Sequence, residues 1–131
     1  MDGRYEALAA AYAGLRLQDD TAQTFASAGF PRRLDLMNQC IGMAMEGFPP
    51  RISRAPDPFF IRLAVIGLQA FVLNVQGCLD NLAHAWVREK GLTGEGGAPL
   101  ASSRVGFGPG NVAVLKSLSP EFAGYLKELG P

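Results

Sequence analysis

Charge is the first thing this sequence has little of. Only 18% of its 131 residues are Asp, Glu, Lys or Arg, where soluble domains average about 25%. Twelve basic and twelve acidic residues cancel to a net charge of zero. Non-specific nucleic-acid binding depends on a cationic surface that neutralises phosphates, so RNA is a partner that the charge does not support. The densest basic cluster, Arg32, Arg33, Arg51, Arg54 and Arg62, is diluted by Asp35, Glu46 and Asp57 and reads as a solvated face. One histidine and two cysteines, with no CxxC pair, are too few ligands for a structural zinc site. No metal and no other cofactor is expected. Cys40 and Cys78 fall at helical positions among apolar neighbours and read as buried free thiols. A disulfide framework would need more cysteines in a shorter, loopier chain. The N-terminal MDGRYEALAA lacks the apolar region of a signal peptide. The most hydrophobic stretch, Phe59 to Leu73, is interrupted by Arg62 and Gln69. Asn74, Gln76, Asp80 and Asn81 follow it, which is too polar for a membrane span of about 20 apolar residues. The expectation is a cytoplasmic protein with no membrane role.

What is present is apolar material, 48% of the chain, enough for the core of one domain covering residues 1–131. With so thin a polar surface, some apolar surface should meet a partner. Helical periodicity runs through nearly all of it. Tyr5, Leu8, Tyr12 and Leu15 predict a first helix from Arg4 to Leu17, with Asp2 as its cap. A short helix over Thr21–Ala28 should end at Gly29-Phe30-Pro31. Pro31 then suits the first turn of a helix reaching Glu46, with Leu34, Met37, Ile41 and Met45 as its stripe and Gly47, Pro49 and Pro50 as its stop.

Asp57-Pro58 is a strong helix start, and nothing interrupts the pattern before Gly91, which predicts one long helix over residues 57–90. Phe60, Ala64, Leu68, Phe71, Val75, Cys78, Leu82 and Trp86 form its apolar stripe, with Leu82 and Trp86 expected in the core. The opposite face is also apolar at Ile66, Ala70 and Leu73. A helix apolar all round is buried all round, so its first half should lie at the centre of a bundle or a subunit interface. Gly67 and Gly77 each cost about 1 kcal/mol against alanine, which close approach of another helix would compensate. Residues 91–110 form a Gly-, Ser- and Pro-rich loop in which Arg104–Phe107 is a candidate extended piece. Asn111 should cap a short helix to Leu118, and Ser119-Pro120-Glu121 should open a last one to Leu129.

Candidate chemistry is confined to the second half of the long helix. At about 100° per residue, Asn74, Gln76, Asp80, Asn81 and His84 fall within an arc of roughly 160°. Gln76, Asp80 and His84 form a ladder at i, i+4 and i+8, so Asp80 can hydrogen-bond His84. Such a pair suits acid–base catalysis or a metal. The same residues also fit the wet face of an amphipathic helix, or a polar network that fixes one packing register. No nucleophile or second base points to the same place, so no catalytic residue and no metal ligand is assigned. A lone DxxxH is far short of HExxH. Gly94–Gly97 and Gly106–Gly110 follow no strand and carry no lysine, so they read as turns rather than phosphate loops. Met37, Met43 and Met45 suit irregular core filling, and Tyr5 and Tyr12 suit packing.

The segment VLNVQGCLDNLAHAW, residues 72–86, resembles the central helix of a group of bacterial helical proteins related to the HEPN superfamily (higher eukaryotes and prokaryotes nucleotide-binding). Asn74, Leu79, Asp80, Leu82, Ala83 and Trp86 stand at counterparts of that group's "hNLRSALDHLAW" pattern. The later SLSPEFAGYLKELGP resembles the stretch after the same group's Gly-rich loop. The resemblance implies a HEPN-like helical bundle and a link to RNA or phage defence. Active members cut RNA with an R-x(4–6)-H motif, usually assembled across a dimer. Here the only histidine, His84, would need arginine at 77, 78 or 79, where Gly77, Cys78 and Leu79 stand. The group also continues into a further helix beyond the point where this chain stops. The resemblance therefore leaves two expectations. One is a non-enzymatic, homo-oligomeric interaction or scaffold protein. The other is a ribonuclease subunit completed by missing sequence or by a partner chain. In either case this chain alone is expected not to cut RNA. The fold class expected is all-α, a bundle around one long central helix.

Overall fold

Asp57 accepts a 2.7 Å hydrogen bond from the Phe59 amide at its side-chain Oδ1, and Pro58 fills the first turn behind it. From that cap a helix of 32 residues runs uninterrupted over Pro58–Glu89, the long helix the sequence predicts. The computed structural model describes residues 3–51 and 55–129. Asp2 and Arg54 lie outside the described residues, as does the side chain of Tyr5. In chain order the α-helices are α1 (Arg4–Ala13), α2 (Asp20–Thr24), α3 (Phe30–Gly47), α4 (the Pro58–Glu89 helix), α5 (Val112–Ser117) and α6 (Pro120–Leu129). Among the described residues there is no strand. One isolated antiparallel bridge joins Thr93 and Pro99, and the fold is all-α.

Two expected boundaries are corrected. The first helix stops at Ala13 rather than Leu17, because Gly14 ends it and the next backbone groups bond elsewhere. The Leu17 amide donates to Gln23 Oε1 at 2.8 Å, and Gln23 Nε2 donates to the Leu15 carbonyl at 2.9 Å. Gly29 does not separate two helices. A π turn over Phe25–Gly29 joins α2 to α3, and backbone at Thr24, Phe25, Gly29 and Phe30 stays right-handed helical throughout. Asp19 caps this compound helix by accepting from the Ala22 amide at 2.7 Å. Glu89, at the far end of α4, accepts from the Gln18 and Asp19 amides at 2.9 and 3.2 Å. A carboxylate so placed meets the positive end of the α2 dipole and satisfies donors that would otherwise be orphaned.

No pair of elements packs as extensively as α3 on α4, and the contact is made by small residues. The buried positions of α4 are Ala64, Gly67, Gly77, Cys78, Ala83, Ala85 and Val87; those of α3 are Phe30, Cys40 and Gly47. A Cβ built on Gly67 would stand 3.1 Å from the Cys40 carbonyl oxygen, and one on Gly47 would stand 2.5 Å from that of Phe60. Close backbone approach is thus the reason for these glycines, as expected for Gly67. At Gly77 the place of a side chain is taken by the Arg33 guanidinium. Cys40 and Cys78 are buried and free, as expected.

The stripe expected on α4 is corrected. Phe60 and Leu68 are exposed, and Leu82 and Trp86 are half-buried rather than in the core. On α3, Ile41 and Met45 are exposed too, so Met45 fills no core. Hydrophobic periodicity ranks residues by size, whereas this interface selects the residues that let two backbones touch.

The C-terminal segment crosses the second half of α4. Val114 of α5 is the one large side chain that is completely buried among the described residues. Beside it, Trp86 Nε1 donates to Ser117 Oγ at 2.9 Å, and that hydroxyl donates to the Val114 carbonyl at 2.6 Å. Residues 91–110 are ordered by two short 3-10 turns, Glu95–Gly97 and Ser102–Arg104. The extended piece expected over Arg104–Phe107 is absent: Arg104 belongs to the second turn and only Val105 has extended backbone before a bend. Asn111 occupies the N-cap of α5 without a side-chain cap bond, and Ser119 caps α6 by accepting from the Phe122 amide at 3.2 Å.

Candidate functional site

The polar arc at 74–84 is divided by the fold. Asn74, Asn81 and His84 face the compound helix. Arg33 Nη1 donates to Asn74 Oδ1 at 3.3 Å, and Asn74 Nδ2 donates to the Ala70 carbonyl at 2.9 Å. The Asn81 amide stands against Gly29 in the π turn, where a Cβ would meet Nδ2 at 2.9 Å. The His84 ring stacks on Phe25, with centroids 5.1 Å apart and planes 20° apart. Gln76 and Asp80, at the other edge of the arc, bond each other, Gln76 Nε2 donating to Asp80 Oδ1 at 3.0 Å. The ladder therefore stops one rung short. Asp80 bonds Gln76, and His84 pairs with an aromatic ring rather than with a carboxylate.

This row reads as a register device. Phe25–His84, Gly29–Asn81 and Arg33–Gly77 match three successive turns of one helix to three of its antiparallel neighbour, and Arg33 reaches on to Asn74 a turn further. The π turn spans the two positions, 25 and 29, that meet His84 and Asn81, and such single turns inside α-helices are frequent at functional sites. Arg33 and His84 do not converge. Arg33 lies over Gly77, seven residues or about 10 Å of helix from His84. Cys78 sits within the same layer, its thiol donating to the Met37 thioether at 3.8 Å. Burial pushes that thiol above its ordinary pKa, with the Arg33 guanidinium pulling weakly the other way. A thiol held protonated is a poor nucleophile. Among the described residues no group of three or more His, Cys, Asp or Glu side chains is placed to hold a metal.

Two apolar features lie on the remaining sides of α4. The first is a bare face. Ile61, Val65, Leu68, Val72, Val75, Leu79, Leu82 and Trp86 recur at alternating spacings of four and three, the 3.5-residue period of a coiled-coil seam. From Ile61 to Val72 this seam is open to solvent, and beside it Ile66 and Leu73 are 56% and 70% exposed. The expectation that the Ile66–Ala70–Leu73 face is covered does not hold within one chain: only Ala70 is half-buried. By length and composition α4 is the one helix among the described residues that is apolar enough to cross a membrane. The open face also carries Arg62, Gln69 and Gln76 in one row at spacings of seven.

The second feature is a cleft of about 640 Å³ where the seam enters the C-terminal half of the molecule. Leu79, Leu82, Ala85 and Trp86 make its floor; Tyr12, Leu15 and Leu17 make one wall; Phe107, Leu118, Phe122 and Leu126 make the other. The Tyr12 ring is held by Phe30, centroids 4.3 Å apart, and Phe122 by Phe107 and Tyr125 at 6.2 and 6.4 Å. Lys90 places its ammonium 5.0 Å over the Trp86 ring at the rim. Neither feature was found by sequence reasoning. A 3.5-residue count would have revealed the seam, but the cleft joins segments more than a hundred residues apart and leaves no local signal.

Compared with known proteins, the chain matches no family model, no curated protein and no solved structure.

Proposed function

We propose that this chain is a non-enzymatic helical interaction protein, a scaffold that pairs with a second copy of itself through the first half of α4. The observation that carries the reading is the open heptad seam from Ile61 to Val72. An exposed apolar stripe of this length is an interaction surface far more often than ordinary surface. Interleaved polar residues favour a protein over lipid as its cover: Arg62, Gln69 and Gln76 would sit at hydrocarbon depth on a spanning helix, whereas flanking a helix pair they form a polar rim. Self-pairing is favoured by the seam's symmetry. An antiparallel pair centred on Leu68 sets Ile61 against Val75 and Val65 within one residue's rise of Val72, opposes the two helix dipoles, and keeps the two Arg62 side chains about 20 Å apart. A parallel pair would stack those arginines. Together with α3 from each copy the result is a four-helix bundle.

The non-enzymatic side of the reading rests on His84 stacked on Phe25, on Arg33 held about 10 Å of helix away from it, and on a net charge of zero. The resemblance of residues 72–86 supports a HEPN-like character and, through it, a role near RNA or phage defence, exercised in the cytoplasm. The test is Val72→Glu. It should yield a folded chain with unchanged helicity by circular dichroism that no longer self-associates in light scattering. A variant that keeps the oligomeric mass of the parent would place the interface elsewhere and defeat the proposal.

A further inference from the structure

The cleft lies beyond the bare stretch of the seam and carries an inference of its own. Its volume, about 640 Å³, lies in the range of small-molecule sites, which are apolar clefts of roughly 300–1,000 Å³ with a few polar groups that set orientation. Its floor and walls are aromatic and aliphatic side chains from three separate parts of the chain. Two of the polar side chains around it, Trp86 and Glu89, are engaged. Trp86 Nε1 is spent on Ser117. The Glu89 carboxylate accepts both amides ahead of α2 at one oxygen, Oε2. Lys90 differs: its ammonium rests over the Trp86 ring and has no carboxylate partner among the described residues. A cation–π contact leaves the ammonium's donors free for an anion. Ser119 also lines the cleft, and its hydroxyl accepts from the Phe122 amide with its own proton uncommitted.

We infer that this cleft binds an amphipathic carboxylate, an unbranched fatty-acid-like molecule whose tail lies between Tyr12, Leu82, Trp86 and Phe122 and whose head group meets Lys90. One ammonium without a carboxylate partner beside an apolar trough calls for one negative charge on an apolar body. A neutral hydrocarbon would leave the cation unused, and a polyanion would find no second cation at the cleft. The C-terminal wall is built to adapt, since α5 and α6 make no extensive helix pairing with the rest of the molecule and are joined to it through side chains.

The only tryptophan in the chain is Trp86, so its fluorescence reads occupancy of the cleft directly. The experiment titrates the whole chain with dodecanoate below its micelle concentration, and in parallel with dodecanol and dodecyltrimethylammonium. Dodecanoate should give a saturable change in Trp86 emission and bind about tenfold more tightly than dodecanol, the scale of one charge-assisted contact. Lys90→Gln, a surface substitution, should bring dodecanoate down to the alcohol's affinity while leaving dodecanol unchanged. Absence of saturable binding overturns the inference. So does equal affinity for the alcohol or the trimethylammonium, or an undiminished preference for carboxylate in Lys90→Gln.

Discussion

The two halves of α4 solve the same packing problem in opposite ways. Between Pro58 and Leu73 the helix lies backbone to backbone on α3, through Gly47 and Gly67, and leaves its large side chains outside. From Asn74 onward side chains fill the space between the helices: the Arg33 guanidinium over Gly77, the Asn81 amide against Gly29, the Phe25 ring on His84. There α1 and the C-terminal segment also close in, leaving a lined cleft in place of a bare face. Apolar surface kept in water costs roughly 25 cal/mol per Å² relative to burial. A helix that exposes Val72 at 65% and Leu73 at 70% therefore retains a driving force to associate that its second half has already used internally.

The sharpest way to break this contrast is to add one methyl group at each kind of glycine. Gly47→Ala drives a Cβ against the Phe60 carbonyl oxygen, which is backbone and cannot swing aside, so it should cost about 2–3 kcal/mol. Gly77→Ala meets only the movable end of the Arg33 side chain, and its better helix propensity, about 1 kcal/mol, should leave the net change near zero. Thermal melts of the two variants decide the matter. Equal losses would mean that the halves pack alike.

Truncation of apolar side chains should follow the same division. Val114→Ala empties a fully buried site and should cost about 2 kcal/mol. Leu82→Ala, half-buried on the cleft floor, should cost about 1 kcal/mol. Leu73→Ala, at a concentration low enough to keep copies apart, should change the stability of the single chain by less than about 0.5 kcal/mol. Urea melts at low and high protein concentration separate intrachain from interchain loss, and a large effect at Leu73 in dilute solution would contradict its exposure.

The smallest expected effect concerns pH. Burial raises the Cys78 thiol pKa in the folded chain, so the unfolded chain releases that proton first as pH rises. Stability is thus fully present below the unfolded thiol value, about 8.5, and declines as pH climbs from there through the folded value. The melting temperature should fall above about pH 8.5 more steeply in the parent than in Cys78→Ala. Parallel slopes would assign the alkaline loss to other groups.

Much of the fold is legible in the sequence, because its punctuation is strong. Asp57-Pro58 opens α4, Lys90-Gly91 closes it, and Ser119-Pro120 opens α6. The join at Gly29 is hidden because glycine and proline look like a break, while here Pro31 sits in the first turn after a π bulge that needs no break. The buried stripe of α4 is hidden for a related reason. An apolar count skips Gly67 and Gly77 and favours Leu68, although contact with α3 depends on what is missing at the glycines. The polar arc is legible as a set, but its roles are not: whether Asp80 turns to Gln76 or to His84 depends on Phe25, nearly sixty residues away.

Sedimentation equilibrium of the unsubstituted chain over a wide concentration range tests the central claim most directly. One chain has a mass of 13.9 kDa. Self-pairing through the seam predicts twice that mass at the high end, falling toward a single chain on dilution. A mass that stays at one chain throughout would contradict it.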